Sequence, residues 1–357
     1  MVLMSAMERF QAVMNGEDID ADTPSIDVEI NVIQKEIEAE EQADEGNEIQ
    51  NDIEDAADTA EQVEDAVDEA EMLVKILKSD GIDPIALKII SANSLYTNIW
   101  RIPMPSTESL DNYGVNRRQA EQLAAALEVS ISGAMQGLKN IYEKTKDSLD
   151  RLWDWFARAW RDNQKTIETL RGKVVGMAVN EEKAEKKKVK GYDLAAMQDM
   201  NKVVNDMIKL TLPDENGKGA SRFNTAYQSL EDRIMKFFSE SAQTEINVSD
   251  IVKSITSEGD KFYSLVNDLK DRKTACEDKV KELKTYFTNL TKAAKANDEL
   301  SKDEKKDIKR ANSNTMKYLS KVTKVIIAMQ KNYIKLAAAV RSCKQLGSGE
   351  TEESSEA

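Results

Sequence analysis

Leu152-Trp153-Asp154-Trp155-Phe156-Ala157-Arg158-Ala159-Trp160 holds three of the four tryptophans of this 357-residue chain. Working outward from it, Leu138, Tyr142, Leu149, Leu152, Phe156, Ala159, Ile167, Leu170, Val174 and Met177 fall on one face at helical spacing. The pattern predicts a helix from Asn116 to about Val179, with Gly133 or Gly137 as places for a break. Arg151, Arg158, Arg161, Lys165, Arg171 and Lys173 give its flanks a basic character. Two readings follow. Large apolar residues at this spacing form the aromatic anchor of a helical bundle. Alternatively, Trp153, Trp155, Phe156 and Trp160 with Arg158 and Arg161 form an interaction helix for a membrane surface or a protein groove.

Downstream, Glu181–Lys190 is highly charged and reads as a solvated turn. A helix is expected from Asp193 to about Leu212, then a Gly-containing loop without phosphate-loop spacing, then a helix over about Ser221–Ser241. Ser249 to about Ala296 and Ser301 to about Gln345 read as two long helices forming an antiparallel hairpin. Ser301 and Glu304 match a capping box. Hairpin pairing keeps Cys276 and Cys343 apart, so no disulfide is expected. The tail Gly347–Ala357 is acidic and reads as disordered.

Upstream lies a joint, Ile102-Pro103-Met104-Pro105-Ser106-Thr107-Glu108-Ser109-Leu110-Asp111-Asn112-Tyr113-Gly114. Its two prolines exclude helix and keep the backbone extended, as a protease requires of a substrate; an ordinary interdomain linker would look the same. The joint divides polymers of opposite character. Residues 1–108 carry 27 acidic and 6 basic side chains, a net of −21; residues 109–357 carry 38 acidic and 44 basic, a net of +6.

Within the acidic part, Ile49, Ile53, Ala56, Ala60, Val63, Val67, Ala70, Val74 and Leu77 trace a heptad seam, with Gly46-Asn47 interrupting it upstream. Alanine dominates the seam and the acids have few lysines to pair with, so this helix is expected to be loose until it has a partner. Ser79-Asp80-Gly81 stops it. Asp18, Asp20, Asp22 and Glu29 have the spacing of a calcium loop, but Thr23 stands where the sharp turn needs glycine.

Composition narrows the function. Gly (14) and Pro (5) are scarce and 32% of residues are charged, which favours long helices. Histidine is absent, which removes the commonest general base and metal ligand and every Ser-His or Cys-His scheme. Two cysteines make neither a zinc site nor a framework. Met1–Val13 has no basic start and no continuous apolar run, so no signal peptide is expected, and no apolar stretch reaches membrane-spanning length. The expectation is a chain made in a cytoplasm, with no enzymatic activity, cofactor, metal or small-molecule substrate.

The acidic Ala/Glu/Asp-rich leader, the Ser106-Thr107-Glu108 tripeptide, the Glu108-to-Gly114 start and the helix rich in Trp, Phe and basic residues together resemble the internal head proteins of large tailed bacteriophages, particularly phiKZ-like ones. The opening, Phe10-Gln11 through Asn15-Gly16-Glu17-Asp18 to Thr23-Pro24-Ser25, is also similar to such leaders. The resemblance implies a propeptide that directs the protein into the prohead and interacts with capsid or scaffold proteins. It implies that a prohead protease cuts after Glu in a Ser/Ala/Gly-x-Glu site, here Ser106, Thr107 and Glu108, leaving Ser109 as the new N-terminus. The mature part would stay in the virion head with DNA, bound weakly and without sequence preference, and some members are ejected into the host. Ser-x-Glu occurs four times, at 106–108, 229–231, 348–350 and 354–356; a second cut at Ser348, Gly349 and Glu350 would raise the net charge to about +9.

The fold expected is therefore all-α: long amphipathic helices in a bundle with a C-terminal hairpin, preceded by an acidic, weakly ordered helical propeptide. Its divisions are an acidic leader (1–108), a Trp-rich amphipathic region (109–180), a helical bundle with the long hairpin (181–346) and a tail (347–357). Two other functions fit the pattern: a membrane-active, toxin-like or ejected channel component, and a cytosolic coiled-coil scaffold.

Overall fold

The computed structural model describes residues 26–81, 113–214, 216–241, 244–257, 259–292 and 301–345, with the side chains of 26–43 and 113–116 outside that description. Both expected cut sites, the tail expected to be disordered and the acidic run at Asp18–Asp22 lie outside it. What is described is an all-α fold with one small β-ribbon.

Helix α1 spans Ile26–Ser79. It ends where the sequence says it should: the Asp80 amide donates to the Ile76 carbonyl (2.8 Å), and Gly81 adopts φ +77°, the left-handed conformation that favours glycine after a helix. Helix α2, Tyr113–Val174, runs unbroken for 62 residues through Gly133 and Gly137. The predicted break is absent because the turns around both glycines keep the apolar face in register.

After α2 the chain folds back on itself. The Gly176 amide donates to the Thr256 carbonyl at 2.7 Å. Asn180 caps α3, Glu181–Lys186, by accepting from the Lys183 amide. Strand β1, Lys188–Lys190, pairs antiparallel with β2, Glu245–Asn247, placing Val189 opposite Ile246. The stretch expected as a solvated turn is therefore structured. Ala184 and Val189 are its signal, since both are buried between charged neighbours that stay in water.

Helices α4 (Leu194–Ile208, capped by Asp193) and α5 (Ala220–Ser241) match the predicted segments closely. The predicted helix over 249–296 is two: α6, Val248–Thr256, and α7, Lys261–Lys292. Asp260 ends the continuity. Its carboxylate accepts from the Tyr263 amide (2.8 Å) and from the Tyr333 hydroxyl (2.9 Å), so it caps α7 and ties it to the last helix. That last helix, α8, spans Lys302–Arg341 and starts at the predicted capping box of Ser301 and Glu304.

Helix α8 is the centre of the molecule. It packs against α1, α2, α4, α5, α6 and α7. Tyr318, Leu319, Val322, Ile326, Tyr333 and Leu336 are fully buried along it. The α7–α8 hairpin is cross-linked by the Tyr286 hydroxyl donating to Asn312 Oδ1 (2.6 Å). Cys276 and Cys343 are both buried and free.

Two apolar clusters result. The larger joins α2 from Leu138 onward to α3–α8 and includes Ile49, Ile53, Ala57 and Ala60 of α1. The smaller consists of Val67, Ala70, Leu73, Val74 and Leu77 of α1 against Ala120, Leu123, Ala124, Leu127 and Ile131 of α2. The middle of α1, from Ile49 to Ala60, belongs to the main core, and its C-terminal end, from Val67 to Leu77, forms a two-helix pair with α2.

Candidate functional site

The partner that the acidic seam needs is the rest of its own chain. Ion pairs set the direction of α1: Asp52 meets Arg151 (3.0 Å) and Glu45 meets Arg158 (2.6 Å) on α2. On α8, Asp65 and Asp68 meet Lys309 (2.7 Å each), Asp58 meets Lys317 (2.6 Å), and Glu54 meets Lys321 (2.8 Å). Partner numbers fall on α1 as they rise on α2 and α8. Helix α1 therefore lies antiparallel to both, in the groove they form. Arg151 and Arg158 are seven residues apart, about 10 Å along a helix, matching Asp52 and Glu45. Six acids that lack a lysine on their own helix, Glu45, Asp52, Glu54, Asp58, Asp65 and Asp68, are paired across space.

Small residues let α1 lie close. Gly46 is buried, and a Cβ there would run into the Trp155 indole. The glycine read as an interruption of the seam is where the aromatic cluster needs room. Ala57, rather than Ala56, is fully enclosed, and Ala60 and Ile53 complete the contact. Trp155 (5% exposed), Phe156 (0%) and Trp160 (6%) are core residues. Trp153 is half-buried against Phe156 (5.6 Å between rings), with the Lys273 ammonium 5.5 Å from its ring. Of the predicted interaction residues, Trp155 and Arg158 face α1. For Arg161, the acid it meets among the described residues is the adjacent Asp162, at 3.9 Å.

At the middle of the seam sits a carboxylate. Glu64 Oε1 accepts from the Tyr142 hydroxyl (2.5 Å) and from Asn312 Nδ2 (3.0 Å), and Asn312 Oδ1 accepts from Tyr286. One chain of polar contacts thus joins α1, α2, α7 and α8. Glu64 Oε2 is enclosed and has no hydrogen-bond partner among the described residues. Burial pushes the Glu64 carboxyl up to about 7, against the pull of Tyr142, Asn312 and Lys309. Lys309, whose ammonium burial alone would push down, is held above its ordinary value by Asp65 and Asp68. Burial likewise drives the Tyr142 hydroxyl well up, so it stays a donor.

Sequence reasoning missed Glu64, Lys309, Lys317 and Lys321. The signal for Glu64 was present: steps of four and three from Ile53 through Ala57 and Ala60 land on position 64 and then Val67. A charge at a seam position is a register device. The three lysines left no local signal, because their partners lie far upstream in the sequence.

Elsewhere, Arg171 stacks over Tyr263 (3.8 Å) beside a shallow hollow of about 380 Å³ bordered by Glu168 and Val175. Burial pushes the Asp260 carboxyl up, partly offset by its hydrogen bonds to Tyr263 and Tyr333 and by Arg171. Burial raises the Cys276 thiol to about 12, which makes it a poor nucleophile. Among the described residues no group of His, Cys, Asp and Glu could hold a metal ion, and no helix is long and apolar enough to cross a membrane. Comparisons with protein-family models, curated proteins and solved structures gave no match.

Proposed function

We propose that this chain is the precursor of a phage internal head protein, whose acidic leader is cut away after Glu108 so that the mature part, from Ser109, remains in the head with DNA. The observation that supports this reading best is the seating of α1. A helix whose acids pair with Arg151, Arg158, Lys309, Lys317 and Lys321 covers the cations that a phosphate backbone would contact. The leader thus acts as a mask as well as a solubilising charge. The role is structural. The prohead protease, capsid or scaffold proteins and packaged DNA are its partners, and the acidic tail after Glu350 is a second candidate for removal.

Burial of Trp155, Phe156 and Trp160 favours this over the membrane-active reading, because those rings already supply packing energy on the order of 2 kcal/mol each inside the bundle. The mature surplus of six positive charges over 249 residues implies modest, salt-sensitive DNA binding. Mass spectrometry of the N-terminus from native particles tests the proposal. A chain starting at Ser109, with Glu108→Gln leaving it full length, is expected. A native chain starting at Met1 would reject the propeptide.

A further inference from the structure

We infer that the groove between α2 and α8 binds an acidic, small-residue-seamed helix in trans as well as in cis, so that cutting the joint leaves α1 seated and unmasking is a second, separate step. The inference rests on the processing reading for its biological setting but not for its physics.

The described contacts that hold α1 all lie before the joint. The ion pairs run from Glu45 to Lys78, the apolar contact from Ile49 to Leu77, and the Glu64 node lies between them. All of these precede Gly81, while the scissile position expected at Glu108 lies 27 residues further on. Cleavage there removes a tether and leaves every one of these contacts in place. What the tether supplies is effective concentration, on the order of millimolar for a flexible linker, and its loss weakens binding without abolishing it when the interface is extensive.

Three features fit the groove to this occupant. Its rims carry Arg151 and Arg158 on one side and Lys309, Lys317 and Lys321 on the other, matched in register to acids on both flanks of one helix. Its floor presents Trp155 where the occupant has glycine, so a bulkier helix is rejected by shape. Its polar node offers Tyr142 and Asn312 as donors to a single carboxylate at the middle of the seam. Acidity alone would satisfy only the first of these.

The test uses the full chain with a specific protease recognition sequence inserted after Glu108. After complete cleavage the sample is run by size exclusion in about 0.1 M salt, where screening acts over roughly 10 Å, and each peak is identified by mass spectrometry. The expected result is that residues 1–108 elute with residues 109–357. The charge reversals Lys309→Glu and Lys317→Glu should release the fragment on cleavage. Adding Asp58→Lys and Asp65→Lys to that variant should restore retention, an outcome that a misfolded body could not produce. Separate elution of the wild-type fragment, or retention unaffected by the reversals, overturns the inference. A native N-terminus at Met1 would reject processing and leave this result standing.

Discussion

Helices α8 and α1 are both long and both bury a face in the same bundle, yet they are held by different chemistry. Along α8 the buried set is large and closely packed, with Tyr318, Leu319, Ile326, Tyr333 and Leu336 fully enclosed. Some of its polar residues bond across the core: Asn332 donates to the Tyr192 carbonyl and accepts from the Tyr192 amide (2.9 Å each), and the Tyr318 hydroxyl donates to the Met207 carbonyl (2.5 Å). Along α1 the contact consists of one glycine, several alanines, a few aliphatics and two rims of charge. Burial at about 25 cal/mol per Å² rewards the first design far more than the second. The lesson is that α8 defines the fold, whereas α1 is fitted to it through small residues and charge.

The largest effect that separates the two comes from cavity formation in α8. Leu319→Ala is expected to lower the global unfolding free energy by about 3 kcal/mol, read by denaturant titration, and to destabilise every helix together. Next is Gly46→Leu, which forces a side chain into Trp155. Overpacking of this kind costs about 1–3 kcal/mol, and here it should lift α1 locally. Tryptophan emission should shift red while the unfolding midpoint of residues 113–341 stays put; a global loss of stability instead would place α1 within the fold-defining set.

Acidity gives the third. Glu64 holds its proton up to about pH 7 when α1 is seated and releases it near the ordinary carboxylate value when it is not. A raised value stabilises the seated state fully at low pH, and that contribution is lost as pH rises through 7. Lys309, Asp68, Tyr142 and Tyr286 are the ionisable groups that surround it. The open population of α1 should grow roughly ten- to hundredfold from pH 5 to 8, and Glu64→Gln should flatten that profile. The smallest effect is Lys317→Met, worth about 0.2–1 kcal/mol of seating, because Asp58 is well exposed and solvent screens the pair.

Much of this architecture was legible in the sequence because it is local. The α2 face from Leu138 to Val174, the Ser301 capping box and the stop at Gly81 all follow from periodicity and cap chemistry within a few residues. The departures each involve a partner remote in sequence. Glu181–Lys190 looked like a solvated turn because its strand pairs with residues 245–247. The split between α6 and α7 depends on Asp260 reaching Tyr333, 73 residues away. Gly46 looked like a defect because Trp155, its counterpart, lies on another helix. Charge pairing is the extreme case: intrahelical rules report only neighbours three or four positions apart, whereas Lys321 and Glu54 are 267 residues apart.

The measurement that bears most directly on the seating of α1 is hydrogen exchange on the full-length chain, wild type beside the Lys309→Glu, Lys317→Glu variant. The account predicts that residues 45–77 exchange far more slowly than the seconds expected of a free acidic helix, and faster than residues 311–340 of α8. In the variant, residues 45–77 should open while 311–340 keep their protection. Exchange of 45–77 within seconds in the wild type, or protection of that segment unchanged by the reversals, would contradict it.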